Sequence, residues 1–163
     1  MNTNTLLMRR EEFSLETRHV EPEQGAATAP LPTLRLDFDG SAAELRSAFQ
    51  GADGQPLSEE DIELSLRLTS DFEKPDPDGV LAVTNRLTGD FICELNVRAK
   101  EIFEFLAAAK RRGSAVEGSP KYRVQFFTKG NPIRTAELDT LLVYTKAGDL
   151  RESESLLPSS VEL

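Results

Sequence analysis

Asp37 and Asp39 stand two residues apart at the end of an apolar run and are followed by Gly40 and Ser41. Side chains at i and i+2 share one face of a strand. Two acidic side chains at a strand end suit a hard cation such as Mg²⁺, with one carboxylate as nucleophile and the other as acid and base in phosphate chemistry. Asp37 and Asp39 are therefore the candidate metal residues. The plainer reading is a strand that ends in two solvated aspartates and a glycine turn. Arg35 favours it, because a strand feeding a buried site of this kind is apolar on both faces.

The segment Leu36-Asp37-Phe38-Asp39-Gly40-Ser41 looks like the opening motif of haloacid-dehalogenase-type phosphatases, where an apolar strand ends in Asp-x-Asp-Gly-Thr. The rest of the chain departs from that pattern. The downstream Ser/Thr, Lys and acidic elements have no counterparts, and the required series of parallel strands and crossover helices is missing. Asp76-Pro77-Asp78-Gly79 is similar to part of an EF-hand loop, but the first ligand position falls on Lys74 and the twelfth on Asn85 in place of Glu. It reads as a turn.

Cys93 is the only cysteine and His19 the only histidine. One of each excludes an internal disulfide and any multi-cysteine zinc or iron–sulfur site. Cys93 shares a strand face with Phe91, Leu95 and Val97 and reads as a small buried apolar group. His19 reads as a rim residue at the end of a strand. Lys110-Arg111-Arg112, with Arg98 and Lys100 nearby, would attract an anion. The same charges complement the negative end of a helix dipole, and no aromatic residue is interleaved with them as a single-strand nucleic-acid binder requires. No enzyme activity and no cofactor follow from these residues.

The elements that must position these groups are legible in the pattern. The chain has 163 residues, 39% hydrophobic and 29% charged, enough for one domain with a core of its own. Its formal net charge of -9 repels phosphate backbones, so nucleic acid is not an expected partner. No run reaches about 18 apolar residues and the N-terminus lacks a secretory core, so the expectation is an acidic cytoplasmic protein with no membrane segment. Residues 1–10 form a flexible segment and 11–163 the single α+β domain. Alternating apolar and polar residues predict strands at 12–20, 33–39, 62–69, 80–84, 91–97, 122–128, 133–139, 141–145 and 150–156.

Ser41-Ala-Ala-Glu44 is a capping box ahead of a helical stripe at Ala42, Leu45, Ala48 and Phe49. A second stripe at Ile102, Phe105, Leu106 and Ala109 predicts another helix, capped at Asn96 and stopped at Gly113. The segment 21–32 reads as a loop, and the tail docks through Val161 and Leu163 or frays. The order suggests two similar halves, 33–84 and 90–145. The predicted fold is α+β, a mainly antiparallel sheet with two helices packed on one face.

Two doublets complicate this. Phe126-Phe127 and Leu141-Leu142 each place apolar side chains on both faces of a strand. One face can meet the helices and the other needs a cover. Phe127, Leu142 and Tyr144 are thus the candidate interaction residues, and the expected partner is another protein or a second copy of the chain. The leading functional expectation is a non-catalytic protein-interaction module, with a metal-dependent phosphate-handling or ligand-binding protein using Asp37 and Asp39 as the alternative.

Met8-Arg9-Arg10-Glu11, Asp37-Phe38-Asp39-Gly40, Val83-Thr-Asn-Arg-Leu-Thr-Gly-Asp-Phe-Ile-Cys-Glu-Leu-Asn96, Leu142-Val-Tyr-Thr-Lys-Ala-Gly-Asp-Leu150 and Ser155-Leu-Leu-Pro-Ser-Ser-Val-Glu-Leu163, taken in order, resemble a family of uncharacterised haloarchaeal proteins known as a domain of unknown function. The resemblance covers nearly everything from Met8 onward and implies a salt-adapted cytoplasm. It agrees with Met8 as an alternative initiator. It implies no activity, so it transfers no site residue. The chain is less acidic than most haloarchaeal proteins.

Overall fold

In the computed structural model, residues 13–20, 31–51, 53–71, 73, 75–115 and 120–157 are described. The expectations for residues 1–10, for most of the loop at 21–32 and for Val161 and Leu163 lie outside them. Among the described residues eight strands form: β1 (Phe13–Arg18), β2 (Thr33–Phe38), β3 (Ile62–Leu68), β4 (Asp78–Asn85), β5 (Phe91–Arg98), β6 (Tyr122–Thr128), β7 (Asn131–Leu138) and β8 (Leu141–Tyr144). The helices are α1 (Ala42–Ala48) and α2 (Ala99–Ala115). The burial of β3 and β6 alternates along the strand as the sequence period requires.

The strands divide between two sheets, ordered β1-β2-β6-β7 and β5-β4-β3-β8. The antiparallel pairs are β1–β2, β3–β4, β4–β5 and β6–β7, each between neighbours in the chain. The parallel pairs, β2–β6 and β3–β8, join strands far apart in sequence. The architecture is therefore α+β and sheet-dominated, with mainly antiparallel pairing, but in two sheets. Each helix carries the chain from one sheet to the other: β2 to β3 through α1, and β5 to β6 through α2.

One core joins these elements. Leu34, Leu36 and Phe38 of β2 and Val124 and Phe126 of β6 belong to the same buried cluster as Leu64 and Leu66 of β3, Leu81 and Val83 of β4 and Val143 of β8. Phe49, capping α1, meets Phe126 edge-on at 4.6 Å between ring centroids, and Phe105 of α2 meets Tyr122 at 5.4 Å. The Tyr122 hydroxyl donates to the Thr140 carbonyl at 2.6 Å, which satisfies its polar end. Burial pushes that phenol well above its ordinary pKa, with Asp139 and Glu63 adding to the shift.

The capping box forms as read: Ser41 Oγ accepts from the Glu44 amide and Glu44 Oε1 accepts from the Ser41 amide. The β6–β7 turn is the two-residue Lys129-Gly130, both at positive φ (49° and 84°), so Asn131 and Pro132 already belong to β7. Pro132 is tolerated because β7 is an edge strand. Glu59 Oε2 accepts from the Glu137 amide, so an acidic side chain occupies part of that edge.

Four local expectations are corrected. Asn96 does not cap α2; β5 runs to Arg98 and the helix starts at Ala99, whose amide donates to the Pro77 carbonyl. Gly113 does not stop α2, which continues to Ala115 because hydrogen bonding carries the helix past a single glycine. Residues 150–156 do not form a strand. Their ends bridge to Tyr144 and Leu141, while residues 152–154 turn. The halves 33–84 and 90–145 are not equivalent, since β2 pairs in parallel with β6 whereas β5 pairs antiparallel with β4.

Candidate functional site

Asp37 lies on the outer face of β2, opposite in direction to Leu36 and Phe38. Its carboxylate is gripped by Arg35: Nε donates to Oδ2 at 3.0 Å and Nη2 donates to Oδ1 at 3.2 Å. That bond, with the charges of Asp37 and Glu16, raises the Arg35 pKa against the opposing effect of burial. Asp39 is exposed, one residue past the strand. The two residues are close, but Arg35 engages both oxygens of the first. Among the described residues no group of three His, Cys, Asp or Glu side chains gathers to hold a metal.

The glycine of the motif has a packing reason. A Cβ at Gly40 would lie 2.2 Å from Cζ of Phe38, so the turn after Asp39 closes over that ring. Phe38 in turn stacks on Phe13 at 4.8 Å, tying β1 to the end of β2. The second acidic motif behaves similarly. Asp76 pairs with Arg98 at 2.8 Å, and Gly79 sits where a Cβ would be 2.9 Å from Leu66 Cδ1. Lys74 lies outside the described residues.

The basic residues at the end of α2 hold backbone. Lys110 Nζ donates to the Ser153 carbonyl, and Arg111 Nη2 donates to the Val20 carbonyl. Nearby, Lys121 Nζ donates to the Leu157 carbonyl. Cys93 is buried, and burial, with the neighbouring Glu94 charge, pushes its thiol far above its ordinary pKa. His19 lies just beyond β1, exposed and at φ 61°, where a left-handed turn leaves the strand.

The three candidate interaction residues separate onto two surfaces. Phe127 lies on the outer face of the first sheet, beneath Arg35, whose guanidinium sits 3.7 Å from the ring centroid. Asp37 holds that guanidinium over the ring. On the same face Arg123 pairs with Glu137 at 2.7 Å and Arg18 with Glu16 at 3.0 Å. The described residues of this face are largely polar and ion-paired, and the Phe127 ring has a lid.

Leu142 and Tyr144 lie on the outer face of the second sheet. In register, Leu142 continues through Ser65 and Ala82 to Glu94, and Tyr144 through Arg67 and Val80 to Asn96. Val80 and Ala82 are buried although they point away from Leu81 and Val83, which lie in the core. Phe91, opposite Thr84, is 62% exposed on this side of the sheet, and Leu150, bridged to Tyr144, is 41% exposed. The β4–β5 turn adds Leu87, 72% exposed. The apolar content of β4 was the signal for this surface: Val80-Leu81-Ala82-Val83 is apolar at every position.

The fold and these surfaces define a two-sheet α+β protein with an ion-paired outer face on one sheet and an outer face of mixed polar and apolar residues on the other. The chain belongs to the family of unknown function DUF5793, whose members it matches over residues 8–163. No curated protein and no solved structure matches it. No helix among the described residues is long and apolar enough to cross a membrane.

Proposed function

We propose that the protein is a non-catalytic interaction module whose outer β5-β4-β3-β8 face binds a protein, with a second copy of the chain as its occupant. The observation that carries this is the outer side of the second sheet, where half-buried Leu142 and Tyr144 and exposed Phe91 and Leu150 lie, in a molecule whose other sheet has an ion-paired outer surface. Burying these exposed and half-buried side chains against a partner removes apolar area from water, at about 25 cal/mol per Å². In this reading both helices pack on the inner face of β6, supported by Phe49–Phe126 and Phe105–Tyr122, which leaves the outer faces to partners. The net charge of -9 supports work in a salt-rich haloarchaeal cytoplasm, where screening reduces repulsion between two acidic copies. The alternative, metal-dependent chemistry at Asp37 and Asp39, is weakened by the hold of Arg35 on Asp37.

Light scattering at high salt across a wide concentration range tests the proposal. The expected result is a mass that rises toward a dimer, and a Leu142→Asp/Tyr144→Asp variant that stays monomeric with an unchanged circular dichroism spectrum. A wild-type monomer at every concentration sinks it.

A further inference from the structure

β8 is four residues long and is paired to β3 along one edge. Its other edge is covered by residues 150–157, which form a strap and not a ninth strand. The Leu141 amide donates to the Leu156 carbonyl at 2.9 Å, and the Leu156 amide returns a bond to the Leu141 carbonyl at 2.8 Å. The Arg151 amide donates to the Val143 carbonyl at 2.7 Å. Between these bonds the ladder lacks a backbone carbonyl, and a side chain supplies the acceptor. Ser155 Oγ accepts from the Val143 amide at 2.8 Å while donating to the Arg151 carbonyl at 2.7 Å. Leu156 fills a place in the core, and Lys110 and Lys121 hold the strap through the carbonyls of Ser153 and Leu157.

Apart from the Ser155–Arg151 bond inside the strap, these contacts run between the strap and the body of the domain. A single connection joins the two, the turn at residues 145–149. It is closed by the Thr145 amide on the Asp149 carbonyl, the Gly148 amide on the Thr145 carbonyl, and the Asp149 amide on Thr145 Oγ1. An identical strap from a second copy would make every strap contact again, and only the turn would be given up. Exchange of an identical element then costs little, and concentration drives it.

We infer that residues 150–157 exchange between two copies, each strap completing the β8 edge of the other. The inference rests on the self-association reading and names its occupant: the Ser155-Leu156 strap of a second chain. Leu150 of the incoming strap would lie beside Tyr144 of the receiving copy, as it does within one chain, and so joins the exchange to the outer face of the second sheet.

The test uses the full chain in a Cys93→Ser background, which removes the buried thiol. Tyr144→Cys and Leu150→Cys variants are mixed at high concentration and oxidised. The expected product is a disulfide-linked heterodimer joining positions 144 and 150, mapped by mass spectrometry and rising several-fold with concentration. A second variant needs no new thiol. Gly148 holds φ 96°, which proline cannot adopt, so Gly148→Pro prevents the strap from folding back and is expected to shift a monomer to a dimer in light scattering. Dimers without the 144–150 link, and without response to Gly148→Pro, overturn strap exchange while leaving self-association standing. A monomer under all conditions overturns both.

Discussion

The outer faces of the two sheets begin from the same sequence feature and end differently. Phe126-Phe127 in β6 and Leu141-Leu142 in β8 each send one apolar side chain inward and one outward. On the first sheet the outward ring is stacked by Arg35, and Arg35 is oriented by Asp37 two residues further along β2. On the second sheet the outward Leu142 lies beside Ser65 and Tyr144 beside Arg67, with Ala82 and Val80 one strand further on. Whether the outward side chain of an apolar doublet is covered therefore depends on what the neighbouring strand brings beside it. The parallel β2–β6 register, which sets Asp37 opposite Phe127, makes that cover possible.

The comparison breaks most sharply at the strap. Leu156 is the buried anchor that keeps the β8 edge covered, so Leu156→Ala removes core contacts and leaves a cavity. The expected loss is about 2–5 kcal/mol, read from urea denaturation. A loss within the error of the method would show that the strap is peripheral to the core.

A smaller effect sharpens the comparison from the other side. Arg35→Ala uncovers Phe127 and leaves Asp37 without its partner, which makes the first face resemble the second. Stability should fall by less than in Leu156→Ala, with increased binding of an apolar dye. Arg35→Lys should recover the charge but not the stack or the paired hydrogen bonds, and so should bind intermediate dye. Equal dye binding by all three proteins would show that the guanidinium does not shield the ring.

The smallest effect is in pH. Burial pulls the Glu154 carboxyl up, but hydrogen bonds from Arg151 and Ser153 and the Arg151 charge hold it below its ordinary range. Its share of stability is present above the unfolded carboxylate pKa and is lost as pH falls through the lowered value. Burial and the Glu104 charge raise Glu101 in the first turn of α2. Its contribution is present below the unfolded pKa and is lost as pH rises through the raised value. Both groups are partly exposed and screened by solvent, so each effect is below about 1 kcal/mol. Thermal melts should show Glu154→Gln reducing the acid-side loss and Glu101→Gln slightly raising stability at neutral pH. The opposite pair of signs would contradict the assigned contacts.

The elements were legible where the physics is local. Period-2 alternation located β3 and β6, because a half-buried strand must alternate. Ser41 and Glu44 announced α1, because the cap bonds span three residues. The start of α2 was missed because Asn96 has a good capping side chain, while its actual position inside β5 depends on pairing with Val80. The strand expected at 150–156 was missed because Ser155 substitutes its side chain for a backbone acceptor, and alternation does not reveal such a bond.

The candidate site shows the same division. Asp37, Asp39, Phe127, Leu142 and Tyr144 could all be selected by type and spacing. Their fates were set by neighbours distant in sequence: Arg35 reaches Phe127 because β2 lies in parallel beside β6, and Leu142 lies beside Ser65 because β8 lies in parallel beside β3. The sequence by itself determined the acidic charge, most of the strands and the capped first helix. Tertiary structure alone decided the split into two sheets, the two parallel pairings and which outward apolar side chain was covered, because those depend on long-range register and not on the local period of the chain.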